Sequence, residues 1–568
     1  MRITPWLLIV LVACGPTAKH HDTDGGGSAD SSQPQPHTLT GITVMPTNPI
    51  IQLDLNATGA QGFTATGNYL DGVDEDLTGQ VTWQLANPVV GTMAGPLLSI
   101  PGFSTATAAS SLLTAKLGTA MGQAQVTVVA YRLMQDFFFI LPYQDPVGTQ
   151  TKPLDFATAI PSLDVFFLMD TTGSMAGEIG NLKSSLTSTV VPGIQNALPD
   201  TQFGVGAFDD FPVDGYGNSP CSSGDGTTDQ PFKLRTSITS NISTVNTGVS
   251  SLATASGGPI GCGGDGPEAG LEAIYQASTG EGISAPSPTS VPANHLGVGG
   301  VDFRGTTMPV IVTITDAESH GVNETIPGAC GTGPYDATVA PYAHSRAQTK
   351  TALAGICARS VGIAAIASTC NADAYLQDLA TSTGARVPPA AWDVGTRPAG
   401  CGSTQCCTAA NGAGRAADID GLCPLVFLAN TNGTGVSTSI VTGIQMLTRF
   451  ATFDVTSQRN GVTTDINGTP IPGGHNTSEF IKTVTPQSFM LPPPPPNLPT
   501  PTFDAVAFHT VTPGTKVTFG LGAFNDFVQQ TDQAQIFRAT VKVLAGGCTP
   551  LDQRDVLILV PPTPIVVQ

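Results

Sequence analysis

Charge is scarce in this chain, and positive charge scarcest of all. Asp, Glu, Lys and Arg make up 11% of the 568 residues, and the 22 Lys and Arg face 42 acids. With a formal net charge of -20, binding gains nothing from counterion release, so no nucleic-acid partner is expected. The acidity suits divalent cations as well as plain solubility. Beyond the first fourteen residues no run reaches the roughly 18 apolar residues that a membrane-spanning helix needs. No C-x-x-C pair is present, which disfavours a zinc cluster even where Cys401, Cys406, Cys407 and Cys423 lie close together. H-E-x-x-H, a serine nucleophile elbow and a phosphate loop are all missing, so the chain is not expected to be an enzyme.

What is present is turn-rich: 65 Gly and 46 Pro with 40% hydrophobic residues, a composition typical of exported β-containing proteins. The length exceeds what one core supports and implies roughly two to four domains. Met1-Arg2 is a short positive region, followed by the apolar stretch Pro5 to Val12 and then Ala13-Cys14. The stretch is too short to span a bilayer. It resembles the lipobox of bacterial lipoproteins, which implies that residues 1–14 are a signal peptide and that Cys14 is lipidated. The lipid would be the membrane attachment, and Gly15, which is not an inner-membrane retention Asp, points to the outer membrane or surface of a Gram-negative cell. The other ten cysteines, an even number in an exported chain, are expected to form disulfides, with connectivity open.

Residues 15–38 hold almost nothing apolar and read as a flexible tether. Between 39 and 132 short alternating runs such as Val81-Thr82-Trp83-Gln84-Leu85 predict an antiparallel β-sandwich. Phe63-Thr64-Ala65-Thr66-Gly67, Leu77-Thr78 and Val81-Thr82-Trp83 resemble the bacterial Ig-like (group 2) family, which implies a spacer or secondary adhesive module. From 160 to 450 apolar strands alternate with helical periods: Leu163 to Met169, a helix carrying Ile179, Leu182, Leu186, Val190 and Ile194, Phe203 to Phe208, a helix from Pro267 to Ala277, and Pro309 to Thr315. A helix from Ala343 to Arg359, a strand from Val361 to Ala367, and helices from Ala374 to Thr383 and Ser437 to Phe450 follow. This is the pattern of a doubly wound parallel sheet. Pro192 is expected to kink or end its helix, and the stretches around 215–262 and 390–425 to be long loops. The remainder, 451–568, is β-rich, with a polyproline segment at 492–496.

Asp170-Thr171-Thr172-Gly173-Ser174 fits D-x-[ST]-x-S directly after an apolar strand. Such a loop lies at the ligand crevice of a parallel sheet, and its carboxylate and hydroxyls suit Mg²⁺ or Mn²⁺. Asp316 ends another apolar strand, and Gly264-Asp265-Gly266-Pro267-Glu268-Ala269-Gly270 opens a helix. Together with Phe208-Asp209-Asp210-Phe211-Pro212-Val213, these segments resemble the metal-ion-dependent adhesion site of von Willebrand A domains, the integrin β-subunit type in particular. The resemblance implies a primary cation site of Asp170, Thr172, Ser174, Glu268 and Asp316. It also implies a neighbouring Ca²⁺ site of Asp210, Asp265, the Pro267 carbonyl and Glu268, in which Gly263 stands where the family has Asn. A third site would need two acids after the loop; Gly177 replaces one and Glu178 remains, so none is expected. Taken singly, Asp170 reads equally as a helix cap and Glu268 as a first-turn acid, and His320 as an exposed loop residue. Haloacid dehalogenase-type phosphatases also begin with a strand-end acid, but they need a second acid where Thr172 stands. The expectation is an envelope lipoprotein that binds an extracellular or envelope protein, or another carboxylate-bearing ligand, through its cation. A rigid structural role for the metal is the alternative, and a metal-dependent hydrolase the remote one.

Overall fold

The computed structural model describes residues 35–326, 333–365, 372–395, 397–430, 432–493 and 498–566. The leader with Cys14, the tether up to residue 34, Cys330, Cys370 and residues 494–496 of the polyproline segment lie outside them. Among the described residues no helix is long and apolar enough to cross a membrane.

Residues 39–131 are β-structure around a small core of Val44, Phe63, Ala65, Leu98, Leu113 and Val126. One sheet joins Leu39–Met45, Thr64–Tyr69 and Asp74–Asp76; a second orders Ile50–Asp54, Ala120–Tyr131, Thr107–Leu117 and Thr82–Leu85. The pairing is not wholly antiparallel as the alternation suggested. Ile50–Asp54 runs parallel to Thr127–Tyr131, a relation between distant segments that side-chain alternation does not encode.

The α/β domain is built on a six-stranded sheet ordered Lys233–Thr239, Thr201–Phe208, Leu163–Asp170, Met308–Thr315, Arg359–Ala365, Val426–Ala429. Five strands are parallel, and the edge strand Lys233–Thr239 is antiparallel to its neighbour. Leu163–Asp170 is buried along its whole length, as helices on both faces require. Its one early polar residue, Asp164, is fully buried and held by Arg304 Nε at 2.8 Å and the Thr307 hydroxyl at 2.8 Å. The stretch 215–262, expected to be loop, contains that edge strand and the helix Ile242–Ser250, capped by Asn241. Helix Gly270–Thr279 begins three residues later than the sequence suggested, after the turn carrying Pro267 and Glu268. The helix departs from regular α-geometry just before Pro192 and ends at Gln195, three residues after it. A widened turn at Leu186–Val190 joins Ala176–Ser185 to Val191–Gln195, placing the proline in a first turn where its missing amide costs nothing.

The C-terminal region is not self-contained. Phe137–Ile140 pairs in parallel with Thr549–Val560, and Gln150–Ala157 pairs with Lys516–Ala523. The resulting six- and three-stranded sheets meet through Phe508 and Phe519, whose rings are 5.1 Å apart. The α/β domain is therefore an insertion between Ala157 and Phe453, and one continuous core runs through both. Four disulfides lie among the described residues: Cys221–Cys262, Cys401–Cys407, Cys406–Cys423 and Cys357–Cys548. The last ties the inserted domain to the β-region that holds it.

Candidate metal centre

The three acidic loop segments follow three adjacent strands, so parallel pairing delivers them to one sheet edge. Asp170 lies in register with Phe208, just before Asp209 and Asp210, and Met169 lies in register with Ile314, two residues before Asp316. The fourth segment is stitched in by main-chain bonds. Gly261 N–H donates to the Thr171 carbonyl (2.8 Å), Ala269 N–H to Asp209 (3.0 Å), and Glu268 N–H to Glu318 (2.9 Å).

Asp170 is fully buried. One carboxylate oxygen accepts from the Thr172 amide (2.9 Å) and hydroxyl (2.7 Å); the other accepts from the Thr315 hydroxyl at 2.6 Å. Burial, and after it the nearby Asp316 charge, push its pKa up to about 7. The Ser174 hydroxyl donates to Asp316 at 3.0 Å, and Ser174 is exposed, which gives the cluster an open side. Glu268 is 4% exposed and its Oε2 has no hydrogen-bond partner. Its acidity is held well below that of an ordinary carboxyl, first by burial and then by the charges of Asp170, Asp210, Asp209 and Asp265. Thr172 is thus bonded to Asp170 and Ser174 to Asp316, Asp170 feels the Asp316 charge, and Glu268 feels that of Asp170. Buried carboxylates without compensating cations are costly, so the donor set fits a divalent cation bound through oxygen.

The second group is brought together differently from the sequence reading. Asp210 is fully buried: Oδ1 accepts from the Phe211 amide and the Tyr335 hydroxyl, both at 2.6 Å, while Oδ2 accepts no hydrogen bond. Burial drives its pKa to about 7. Asp265 is partly exposed, and Pro267 is buried beside it. His320, read from the sequence as exposed, is 3% exposed and turned inward against Asp265 and Asp210. Burial opposes its protonation, but the two carboxylates outweigh that and raise its pKa. Gly263 explains why no side chain comes from that position. Its φ is +68°, and a Cβ there would lie 2.6 Å from Glu268 Oε1. Glu178 is buried with both carboxylate oxygens unpartnered, and burial lifts its pKa to about 7.

Several residues of this end were not singled out from sequence. Thr171 donates to Asp209 at 2.5 Å, and Lys233 pairs with the same carboxylate at 2.5 Å. Asp229 accepts from the Asn218, Cys262 and Gly263 amides and so shapes the loop carrying Gly263. Thr315 was legible only as the residue before Asp316; its role depends on the register with the neighbouring strand.

Residues 157–283 match the family model of the integrin beta chain VWA domain. The matched stretch holds Asp170, Thr172, Ser174, Asp210, Asp265, Pro267 and Glu268, and ends before Asp316 and His320. An 82-residue stretch, 14% of the chain, is 38% identical to ice-binding protein 1 of Shewanella frigidimarina and spans 8% of that protein's length. A solved structure, the pilus adhesin SpaC of Lactobacillus rhamnosus GG in its open conformation, aligns over 74% of this chain and 49% of its own. Sequence identity there is 13% and the TM-score 0.25. Residues 157–283, the first part of the inserted α/β domain of this β-rich chain, are therefore similar to an integrin β-type VWA domain.

Proposed function

We propose that this chain is an exported surface protein, anchored through Cys14, whose inserted domain binds a carboxylate-bearing protein ligand through a divalent cation. The cation, Mg²⁺ or Mn²⁺, would be held by Asp170, Thr172, Ser174, Glu268 and Asp316, without catalysis. The observation that carries this reading is the geometry of charge at the open sheet edge. Asp170 lies within reach of the Asp316 charge and Glu268 within reach of that of Asp170, the Glu268 Oε2 is buried without a hydrogen-bond partner, and the exposed Ser174 on Asp316 marks the way in. A bound cation would supply charge neutralisation and an electrophilic position for an outside carboxylate; the loop's hydroxyls add no charge and leave it electrophilic.

The test is capture of ligand from surface extracts by the full chain, with Mg²⁺ and with chelator, alongside melting curves. Metal at about a hundred times its dissociation constant stabilises the fold by roughly 2.7 kcal/mol. Asp170→Ala should abolish both capture and the metal-dependent melting shift. Thr172→Ser, which keeps the hydroxyl on Asp170, should be mild and Thr172→Val severe. A melting shift with capture that ignores chelator would make the metal structural alone. No shift at all would remove the cation from the account.

A further inference from the structure

The resemblance implies an oxygen-only calcium site at the second group, and the residues do not fit it. The position that should supply an amide oxygen is Gly263, where the backbone is left-handed and Glu268 occupies the space of a Cβ. An imidazole stands at the group instead. His320 Nε2 lies 3.2 Å from Asp265 Oδ2 and 3.6 Å from Asp210 Oδ2, and one ligand atom from each of the three lies within 4.8 Å of the others.

The ring is oriented as metal-binding histidines are. Its Nδ1 lies 3.3 Å from the Gly333 carbonyl, which can only accept, so Nδ1 carries the hydrogen. That leaves the Nε2 lone pair facing two carboxylates. Ionised carboxylates offer no donor, so a cation must sit between: a proton, on Nε2 or on a carboxyl oxygen, or a metal ion. A backbone carbonyl fixing the tautomer while the other nitrogen meets the metal is the usual outer-shell arrangement of such sites. The Asp210 Oδ2 is the second mark of a ligand: its side chain is fully buried and this oxygen accepts no hydrogen bond, facing only His320 Nε2 at 3.6 Å, while Oδ1 is spent on Phe211 and Tyr335. Aromatic walls close the site. The Tyr335 ring is 4.4 Å from His320 and the Tyr216 ring 5.0 Å, edge-on. Asp265, the partly exposed member, is the entrance.

We propose that His320 Nε2, Asp210 and Asp265 form a nitrogen-and-oxygen site for a transition-metal ion of the zinc class, beside the primary cation. Calcium takes six to eight oxygens, whereas a neutral imidazole with carboxylates suits zinc, cobalt or manganese. Ligands at about 2.0–2.1 Å in a tetrahedron are about 3.3–3.4 Å apart, close to the observed 3.2 and 3.6 Å. Three protein ligands leave a fourth position for water. Because the His320 amide donates to the Glu268 carbonyl at 3.0 Å, an ion here also steadies the segment that carries Glu268.

The experiment titrates chelator-stripped full-length protein with Co²⁺, whose visible absorption reports nitrogen ligation, and then competes with Zn²⁺ and Ca²⁺. Asp170→Ala serves as background, because it removes the primary site and should leave this signal intact. One equivalent of Co²⁺ should give the band, Zn²⁺ should displace it, and Ca²⁺ in about hundredfold excess should not. His320→Ala should weaken binding by at least about a hundredfold. His320→Asn, which exchanges nitrogen for oxygen, should favour Ca²⁺. Asp265→Asn, at the partly exposed mouth, supplies the same test without disturbing the interior. Equal Co²⁺ binding by wild type, His320→Ala and Asp265→Asn overturns the proposal. Stoichiometric displacement by Ca²⁺, or folded wild-type protein that takes up neither Co²⁺ nor Zn²⁺, does so as well, the last leaving a proton as the bridging cation.

Discussion

Asp170 shows how one residue can be costly and necessary at once. Its carboxyl is fully buried among hydroxyls and faces Asp316, which lifts its pKa to about 7 from the ordinary carboxylate range near 4. A raised folded-state pKa means that the folded protein holds the proton more tightly than the unfolded chain. The stabilisation is complete below pH 4 and is lost as pH rises toward 7. Asp210 and Glu178, each lifted to about 7 chiefly by burial, add to the same trend. In chelator the melting temperature should therefore fall from pH 5 to pH 7.5, and saturating Mg²⁺ should restore it by favouring the ionised form. Asp170→Asn separates this from every other carboxylate. It should raise the melting temperature of the metal-free protein at pH 7.5 and remove most of the gain from metal. A metal-free Asp170→Asn protein that melts below the wild type at pH 7.5 would show that the buried charge is already compensated.

Among the elements, strand Thr201–Phe208 carries Asp209 and Asp210 to the site, and its two interior glycines are placed by packing. A Cβ at Gly206 would lie 2.6 Å from Phe166 Cζ, and one at Gly204 would lie 2.8 Å from Phe166 Cδ2 and 3.0 Å from the Thr236 carbonyl. Phe166 is fully buried between Phe232 and Phe303 and has nowhere to turn. Gly206→Val should therefore cost about 1–3 kcal/mol by overpacking, seen as a lower denaturant midpoint. Cation affinity measured on the folded fraction should be unchanged, since the strand end keeps its register. A midpoint equal to the wild type would mean that Phe166 relaxes and the glycines serve something else. The helix through Pro192 is interrupted where the proline predicts, in a form the sequence does not specify. The turn before it is widened, with Leu186 and Val190 buried in the core.

In the whole molecule, the inserted domain is bonded to its host at both chain connections and by Cys357–Cys548, which are 191 residues apart. Cross-linking so long a loop restricts the unfolded chain and is worth roughly 5 kcal/mol in the chain-entropy view. With the shared core, it should make the inserted domain and its β-host melt together. Replacing Cys357 and Cys548 by Ser should lower the calorimetric melting temperature and split the single transition in two. One unsplit transition at the wild-type temperature would show that the core alone couples them. The N-terminal module is fixed to the same host by paired Asn48–Ile565 bonds at 2.9 and 3.1 Å and by Tyr131 stacked on Phe138 at 4.6 Å. The N-terminal module, the β-host and the inserted domain are therefore joined by contacts beyond the chain connections.

The sequence alone determined the alternation of buried strands and helices and the spacing of Asp170, Thr172, Ser174, Glu268 and Asp316, because strand-end acids and hydrophobic periods are local properties. It also announced disulfides without their pairing, since cysteine spacing says nothing of which segments meet. Tertiary structure decided what depends on distant segments coming together. Strands near residues 137–157 complete sheets built from residues beyond 450, so the α/β domain is an insertion rather than a middle link. Thr315 reaches Asp170 across a strand pair. His320, polar and followed by glycine, carried every local sign of an exposed loop, yet Tyr216 and Tyr335 wall it in and two carboxylates draw it to the interior. Burial of a lone polar side chain is set by what the fold brings around it, and that is written in no single stretch of the chain.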